Sequence, residues 1–271
     1  MPLLTLQELE QTYPVFRGKT GNAFAKAFMK VLAITSINEL YDKYSSLQGL
    51  DFTGAILKDI GVDYNVKNIE ILQSLKDQPF ITISNHPYGG IDGIILIDLF
   101  GHYREDYKVI VNKFLARIKA MDANFITVTP TGEIRSAPTR DSILGIKAAI
   151  EHVRSGSPLG IFPSGAVSDL SLKDGCIRDR KWQKPMVRMI KELHLPILPV
   201  KFLGGNSFFY YFLGLIDWKV RLLKLPSEFI NKRGKTIRLV LGDVITPEKQ
   251  DCFPDLEQLG KFLRNSVYQL K

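Results

Sequence analysis

The sequence has few of the residues on which small disulfide-bonded domains and zinc proteins depend. Its 271 residues include 2 cysteines, Cys176 and Cys252, and 4 histidines. Two cysteines are too few for a disulfide framework, and the cysteines and histidines lack the close spacing of a zinc site. We therefore expect no metal ion and no dissociable cofactor.

Long hydrophobic runs are also missing. The longest strongly apolar run covers nine residues, 208–216, whereas a helix that spans a membrane needs about 20. No basic segment followed by an apolar one opens the chain as it does in a signal peptide. We expect a cytoplasmic protein that is soluble or bound peripherally to a membrane.

No Gly-x-Ser-x-Gly motif occurs, so nothing indicates the serine nucleophile of an α/β-hydrolase. A histidine and an aspartate do lie on one short segment, NHPYGGID at residues 85–92. Histidine accepts protons well near neutral pH, and an aspartate that binds one ring nitrogen leaves the other free as a base. A His86–Asp92 pair without its own serine predicts that the substrate supplies the nucleophile, for example an alcohol. The alternative is that Asp92 only caps a helix beside a surface histidine.

The surroundings of this segment indicate a turn between a strand and a helix. Residues 80–84 are apolar and β-branched, which predicts a buried strand, and residues 94–100 are typical of the first turns of a helix. Pro87 removes a backbone donor, and Gly89 and Gly90 allow conformations that other residues avoid. In open α/β sheets, ligands bind where such turns leave the carboxyl ends of strands.

Strand and helix patterns alternate along the rest of the chain. This alternation predicts an α/β fold with a mostly parallel sheet flanked by helices. We divide the chain into an N-terminal helical region, residues 1–66, and an α/β domain, residues 67–271. Residues 22–44 are expected to form one long helix, whose stripe of Phe24, Phe28 and Val31 either packs on the core or lies on a membrane.

The positive charge is concentrated in one part of the sequence. Residues 171–238 contain 15 lysines and arginines against 5 aspartates and glutamates, a net charge of +10, whereas the whole chain carries +8. This excess predicts an anionic partner, such as a phospholipid surface or an acidic carrier protein. The alternative is ordinary solubility charge. Because no nucleic-acid recognition motif is present, we expect no nucleic-acid partner.

Two further segments stand out. In GIFPSGAVS at residues 160–168, Ser164, Ser168 and the backbone amides could hold an anionic or hydroxyl group. The aromatic run at residues 208–212 could pack in the core, line an acyl pocket or contact a membrane.

Five segments, taken in order, resemble one family. NHPYGGID is similar to the first block of the glycerolipid, or lysophospholipid, acyltransferase superfamily. Five residues rather than the usual four separate His86 from Asp92, and this spacing resembles the hemolysin-like branch that acylates lyso-ornithine and lyso-glycine aminolipids. The other matching segments are FITVTPTG at 125–132, IFPSGAVS at 161–168, DRKW at 179–182 and LPVKFLGGNS at 198–207.

The resemblance implies that a fatty acyl group moves from acyl carrier protein or acyl-CoA, as co-substrate, to the hydroxyl of a lyso-lipid. It implies His86 as general base and Asp92 as its orienting partner. It also implies a peripheral position on the inner face of the cytoplasmic membrane, with the anionic membrane surface as a partner. The residues that it places around the substrate are Asn85, Gly89, Gly90, Arg135, Phe162, Pro163, Ser164, Gly165 and Ser168.

The third block departs from the family pattern. Glycerol-phosphate members carry glutamate where Ser164 stands, and the aminolipid branch carries it where Ala166 stands. The acceptor, a lyso-aminolipid or a lysophospholipid, therefore stays open, as do the acyl length, the donor and the oligomeric state. A second function on the same fold is a catalytically silent, membrane-associated lipid-binding protein. The intact His86–Asp92 pair favours the enzyme.

Overall fold

The computed structural model describes residues 5–7, 10, 17–129 and 140–271. Its α-helices are α1 (Gly18–Val31), α2 (Ile34–Tyr44), α3 (Gly49–Asp59), α4 (Gly90–Tyr103), α5 (Arg140–Arg154), α6 (Lys184–Leu193), α7 (Phe208–Ile216), α8 (Trp218–Leu223), α9 (Leu225–Ile230), α10 (Pro247–Asp251) and α11 (Leu256–Tyr268). Its strands are β1 (Asp63–Lys67), β2 (Ile81–Ser84), β3 (Lys108–Asn112), β4 (Phe125–Val128), β5 (Leu159–Ile161), β6 (Asp169–Ser171), β7 (Cys176–Arg178), β8 (Ile197–Leu203) and β9 (Thr236–Leu241). Short 3₁₀ segments cover Ile69–Leu75, Lys113–Arg117 and Lys119–Asn124.

Among the described residues, seven strands form one sheet in the order β1-β9-β8-β2-β5-β3-β4. Its strands pair in parallel, except that β8 and β9 are antiparallel. Helices connect most of the strands and cover the sheet, so the predicted α/β fold is confirmed. The sequence pattern did not predict the two-stranded hairpin of β6 and β7 or the helices α7 to α9.

Strand β2 lies in the middle of the sheet, between β5 and β8. Every residue of β2 is buried, which explains why its sequence is continuously apolar or β-branched rather than alternating. Ile83 lies opposite Ile161 of β5 and Pro199 of β8. Because β2 and β5 are parallel neighbours, the NHPYGGID segment and the FPSGAVS segment leave the same edge of the sheet side by side.

The two faces of the sheet bury separate apolar clusters. On one face, α3 and α4 pack through residues such as Phe52 and Ile95. On the other face, α5, α6 and α11 pack through residues such as Ile190 and Leu263 against Ile83 of β2. Each fully buried side chain of this size contributes about 1.5–3 kcal/mol, so β2 and the turn that follows it rest on a rigid support.

The single N-terminal helix predicted for residues 22–44 is wrong, because the structure has two helices there. Helix α1 ends at Val31, and Ala33 adopts a left-handed conformation with φ of 57° before α2 begins. The β-branched residues Val31, Ile34 and Thr35 around the break have a low preference for continuous helix. The break allows Ile34 to pack into one buried cluster with residues of α1.

Of the two alternatives for the stripe of Phe24, Phe28 and Val31, packing on the core does not hold for Phe24 and Val31. Phe24 is 56% exposed and Val31 is 78% exposed, whereas Ala25 and Met29 face inward. The division at residue 66 stays a prediction as a statement about domains, although it falls inside β1. Across the part of the chain that the structure describes, no helix has the length and apolar character needed to span a membrane.

Candidate active site

The NHPYGGID segment forms the turn that joins β2 to α4. Pro87 lacks the N–H group that a continued strand would need, and Gly89 adopts a φ of 81° that favours glycine. A side chain at Gly89 would also approach Leu225 to 2.9 Å. The hydroxyl of Tyr211 on α7 donates to the carbonyl of Pro87 over 2.9 Å. The turn is thus held by its own sequence and by a helix from much later in the chain.

His86 and Asp92 meet within this turn, as the sequence predicts. The distance from Nδ1 of His86 to Oδ2 of Asp92 is 2.9 Å. The same carboxylate oxygen accepts the backbone N–H groups of Tyr88 and Gly89 at 2.9 and 3.0 Å. Since a carboxylate accepts, this arrangement favours the tautomer in which Nδ1 carries the proton, which leaves Nε2 as the basic nitrogen.

The environment of Asp92 differs from that of a simple helix cap. Asp92 does cap α4 through the N–H of Gly89, but its side chain is completely buried. Burial raises the pKa of Asp92, and the His86 ring and the two backbone N–H groups oppose that rise. Oδ1 of Asp92 is buried and makes no hydrogen bond to any residue that the structure describes. A carboxylate in such surroundings gains most from a positively charged neighbour, which a protonated His86 provides.

The third block touches His86 directly. The ring of Phe162 stacks on the His86 ring with 4.0 Å between centroids and 29° between planes. The N–H of Ser168 donates to the carbonyl of His86 over 2.9 Å. The His86 side chain stays 19% exposed, so the ring is held on several sides and still reachable.

Sequence similarity agrees with this geometry. The acyltransferase family matches residues 12–271, almost the whole chain. The chain belongs to the acyltransferase family. The resemblance inferred from its motifs is therefore confirmed at that level.

Two similar proteins are both lyso-glycine lipid O-acyltransferases. The protein from Phocaeicola vulgatus is 29% identical over 276 residues, covering 99% of this chain and 95% of the relative. The protein from Bacteroides thetaiotaomicron is 27% identical over 248 residues, covering 89% of this chain and 87% of the relative. The crystal structure of the 1-acyl-sn-glycerophosphate (LPA) acyltransferase PlsC from Thermotoga maritima aligns with a TM-score of 0.48 and 18% identity, covering 81% of this chain and 79% of that one.

In this acyltransferase, both hydroxyl groups predicted to bind substrate are hydrogen-bonded within the protein. Ser164 is 4% exposed and donates to the carbonyl of Ala166 over 2.7 Å. Ser168 is 1% exposed and donates to Asp179 over 2.6 Å. The N–H of Gln183 donates to the carbonyl of Pro163 over 2.9 Å, so the segment that carries Ser164 is also bound by the residue that precedes α6.

The remaining candidates have different surroundings. Gly90 and Gly165 are exposed, and Gly165 has a φ of 65°, which favours glycine, beside the side chain of Gln183. Asn85 donates to the carbonyl of Phe202 and accepts its N–H, at 2.9 and 2.8 Å, so its amide joins β2 to β8. Arg135 lies outside the described residues. The substrate-binding roles of all these residues stay predictions.

The structure also places residues at the site that the sequence did not single out. Asp179 accepts the N–H of His86, and Tyr211 and Tyr88 tie the turn to neighbouring segments. Burial first, and then the charge of Asp92, raise the pKa of Tyr88 to about 12, so its hydroxyl stays protonated and donates to the carbonyl of Leu203. The DRKW match contained Asp179, but no local pattern indicates which loop its carboxylate contacts. Among the described residues, no three His, Cys, Asp or Glu side chains form a group that could hold a metal ion.

Proposed function

We propose that this acyltransferase transfers a fatty acyl group from a thioester donor to the hydroxyl of a lyso-lipid. The observation that carries the proposal is the His86–Asp92 pair, whose 2.9 Å contact leaves Nε2 of His86 available as a base. The names of the two lyso-glycine lipid O-acyltransferases support the choice of acceptor. The thioester donor is acylated acyl carrier protein or acyl-CoA, and no cofactor takes part.

The reaction needs one proton transfer in each direction. Nε2 of His86 removes the proton of the acceptor hydroxyl while the oxygen of that hydroxyl attacks the thioester carbonyl. The buried carboxylate of Asp92 stabilises the imidazolium that forms. The tetrahedral intermediate then collapses, the carbon–sulfur bond breaks, and the leaving thiolate takes the proton back from His86. An ester forms and a thiol is released, so the enzyme needs no serine of its own.

The acceptor is a lyso-aminolipid or a lysophospholipid. The names of the two lyso-glycine lipid O-acyltransferases favour a lyso-aminolipid. The third block, however, has Ser164 and Ala166 at the two positions where the two branches carry glutamate. A lyso-ornithine headgroup has an ammonium group beside its carboxylate, whereas a lyso-glycine headgroup has the carboxylate alone. A binding site without an acidic residue at Ser164 and Ala166 therefore favours the lyso-glycine lipid.

The protein acts at the cytoplasmic face of the membrane, which it binds peripherally. Helices α7 and α8 expose an apolar surface, and Tyr211 on the buried side of α7 contacts the catalytic turn. Large exposed apolar patches on soluble proteins mark sites of protein or membrane contact, and aromatic residues suit the membrane interface. The exposed residues of this α7–α8 surface are Phe208, Phe209, Phe212, Leu215, Ile216, Trp218, Val220 and Leu222.

The purified protein tests the proposal directly. It is incubated with lyso-glycine lipid, lyso-ornithine lipid or lysophosphatidic acid and with acyl carrier protein or coenzyme A thioesters, and the lipids are analysed by mass spectrometry. We expect ester formation on the lyso-glycine lipid, and its loss in His86→Ala. A folded wild-type protein that binds lipid vesicles but acylates none of the three acceptors with either donor would instead support the silent lipid-binding protein.

A further inference from the structure

Asp179 is a buried carboxylate in direct contact with the segment that carries His86. The residue is 2% exposed, and its side chain accepts three hydrogen bonds. Oδ1 accepts the backbone N–H of His86 over 3.2 Å and the hydroxyl of Ser168 over 2.6 Å, and Oδ2 accepts Nε1–H of Trp182 over 3.2 Å. Every one of these contacts needs an acceptor, so the site fits an ionised aspartate better than any other side chain of its size.

The backbone of Asp179 is itself fixed from two sides by helix α11. Its N–H donates to the hydroxyl of Tyr268 over 2.6 Å, and its carbonyl accepts from Nη2 of Arg264 over 2.7 Å. Helix α11 packs on one face of the sheet through Leu259 and Leu263. The carboxylate therefore has a rigid support that does not involve the catalytic turn.

Both backbone polar groups of His86 are bound by this network. Its N–H donates to Asp179, and its carbonyl accepts the N–H of Ser168, whose hydroxyl also donates to Asp179. Asp92 meanwhile fixes the ring through Nδ1. Two carboxylates thus hold the histidine, one at the ring and one at the main chain.

We propose that Asp179 is a positioning residue for acyl transfer, which fixes the main chain of His86. The inference rests on the proposed role of His86 as general base. A shift of about 1 Å at a catalytic group can cost roughly 100-fold in rate. Asp179 holds the N–H of His86 directly, and it holds the carbonyl of His86 through Ser168.

Asp179→Asn tests the proposal. The amide has one acceptor oxygen, so its NH₂ group meets a donor, and the charge is lost. We expect kcat to fall up to about 100-fold, because the main chain of His86 is no longer held in place, with a smaller change in KM. Asp174→Asn, in the exposed turn of the β6–β7 hairpin, is the matched control and should behave as wild type.

A double variant separates positioning from folding. Trp182→Phe removes the donor that faces Oδ2, so the amide that Asp179→Asn introduces can keep its oxygen toward His86 and Ser168 in the double variant. We expect the double variant to recover turnover relative to Asp179→Asn, with KM close to that of wild type. Melting temperatures show whether each protein is folded, and the double variant carries the test if Asp179→Asn alone does not fold. A folded Asp179→Asn protein with the turnover of wild type, or a folded double variant that recovers no turnover, would overturn the inference.

If wild type acylates no lyso-lipid, the proposed function fails, and the hold of Asp179 on His86 is read from hydrogen exchange of the His86 backbone N–H by NMR. Faster exchange of this N–H in Asp179→Asn than in Asp174→Asn supports the contact independently of activity. Unchanged exchange overturns it.

Discussion

The proposed chemistry of this protein depends on which nitrogen of His86 carries a proton. Asp92 lies on the Nδ1 side and is completely buried, with two backbone N–H groups on the same carboxylate oxygen. The two N–H groups fix the position of this carboxylate oxygen, so it stays in contact with Nδ1 of the ring. His86 therefore presents Nε2 as a base without any rearrangement, which is the state that removes a proton from an alcohol.

His86→Ala should abolish acyl transfer and leave the fold intact. The acceptor hydroxyl needs a base in the transition state, and general-base catalysis contributes roughly 100- to 10,000-fold. Turnover is measured with the lyso-lipid that wild type acylates, and circular dichroism follows the fold. His194→Ala is the control, because His194 is half exposed and paired with Asp251. A folded His86→Ala enzyme with near-normal turnover would disprove the mechanism.

Asp92→Asn should keep the fold and lose most of the turnover. The amide oxygen can take the place of Oδ2 and accept all three donors, and the NH₂ group then occupies the position of Oδ1. The charge that stabilises the imidazolium is gone, and comparable changes in His–Asp pairs lower kcat by up to about 10,000-fold. Steady-state kinetics and thermal melting check both parts. Equal turnover in Asp92→Asn and wild type would mean that Asp92 is only a helix cap.

At the scale of elements, the start of helix α7 is fixed by a buried acid from helix α9. Glu228 is completely buried and accepts the N–H and the hydroxyl of Ser207 at 2.9 and 2.6 Å. Lys224 and Lys232 lie 3.2 and 3.6 Å from its carboxylate. Burial raises the pKa of Glu228, but the hydrogen bonds of Ser207 and the proximity of Lys224 outweigh it, so the pKa is lowered overall.

Glu228→Gln should destabilise the protein at neutral pH and much less in acid. A lowered folded-state pKa means that the ionised group stabilises the fold above its ordinary value of 4.5, and that this contribution is lost as the pH falls through the folded-state pKa. Removing one partner of a buried ion pair costs about 3–5 kcal/mol. Urea unfolding followed from pH 7 down to about pH 2 measures the difference, because the contribution is lost only as the pH falls through the lowered pKa. Glu192→Gln, on the exposed side of α6, is the control, and a loss for Glu228→Gln that stays the same over this range would contradict the prediction.

At the scale of the whole molecule, the basic excess of residues 171–238 is only partly available to a partner. Arg221 is buried against Asp169, and Lys232 is buried against Glu228. Lys181, Lys184 and Arg188 are exposed, as the membrane hypothesis requires. The apolar and the basic parts of the proposed membrane-binding surface therefore come from different segments, α7–α8 and the region around α6.

Binding to vesicles should rise with anionic lipid and fall, though not to zero, from low to high salt. Basic residues near anionic lipid contribute about 1 kcal/mol each and are screened by salt, whereas apolar insertion of the α7–α8 surface is not. Charge reversal at Lys181, Lys184 and Arg188 should weaken the salt-sensitive part. Sedimentation with neutral and anionic vesicles measures the binding.

Two controls separate the contributions to that binding. Charge reversal at the exposed Lys67 and Lys76, outside the basic stretch, should have a smaller effect. Phe208→Ser with Phe209→Ser should lower the binding that remains at high salt. Equal binding to neutral and anionic vesicles, unaffected by salt, would indicate that the basic stretch serves another partner, with an acidic acyl carrier protein the next candidate.

Acyl transfer should not require a metal ion. The proposed steps use only His86, Asp92 and the substrate hydroxyl, and the four histidines and two cysteines have no metal-site spacing. The assay is repeated after treatment with a chelator. Activity that is lost on chelation and restored by zinc or magnesium would contradict the prediction.

The sequence by itself determined the turn that joins His86 to Asp92 and the class of the fold. His86 and Asp92 are six positions apart, and Pro87 and Gly89 between them limit the backbone to a tight turn, so short-range geometry brings the pair together. The buried β2 strand and the alternation of helix and strand were equally local patterns. They can be recognised in the sequence because a strand buried on both faces is a continuous apolar run, and a helix repeats its apolar residues at helical spacing.

Only the tertiary structure decided what surrounds the pair. Asp179 contacts a residue 93 positions away, and Phe162 stacks on His86 because β5 pairs with β2 although β3 and β4 come between them in the chain. The run at residues 208–212 reads as uniformly aromatic, yet α7 buries its tyrosines and exposes its phenylalanines. Strand order and helix docking are set by the packing of distant segments. The same local patterns are compatible with several strand orders, and only the packing of the common core selects one order.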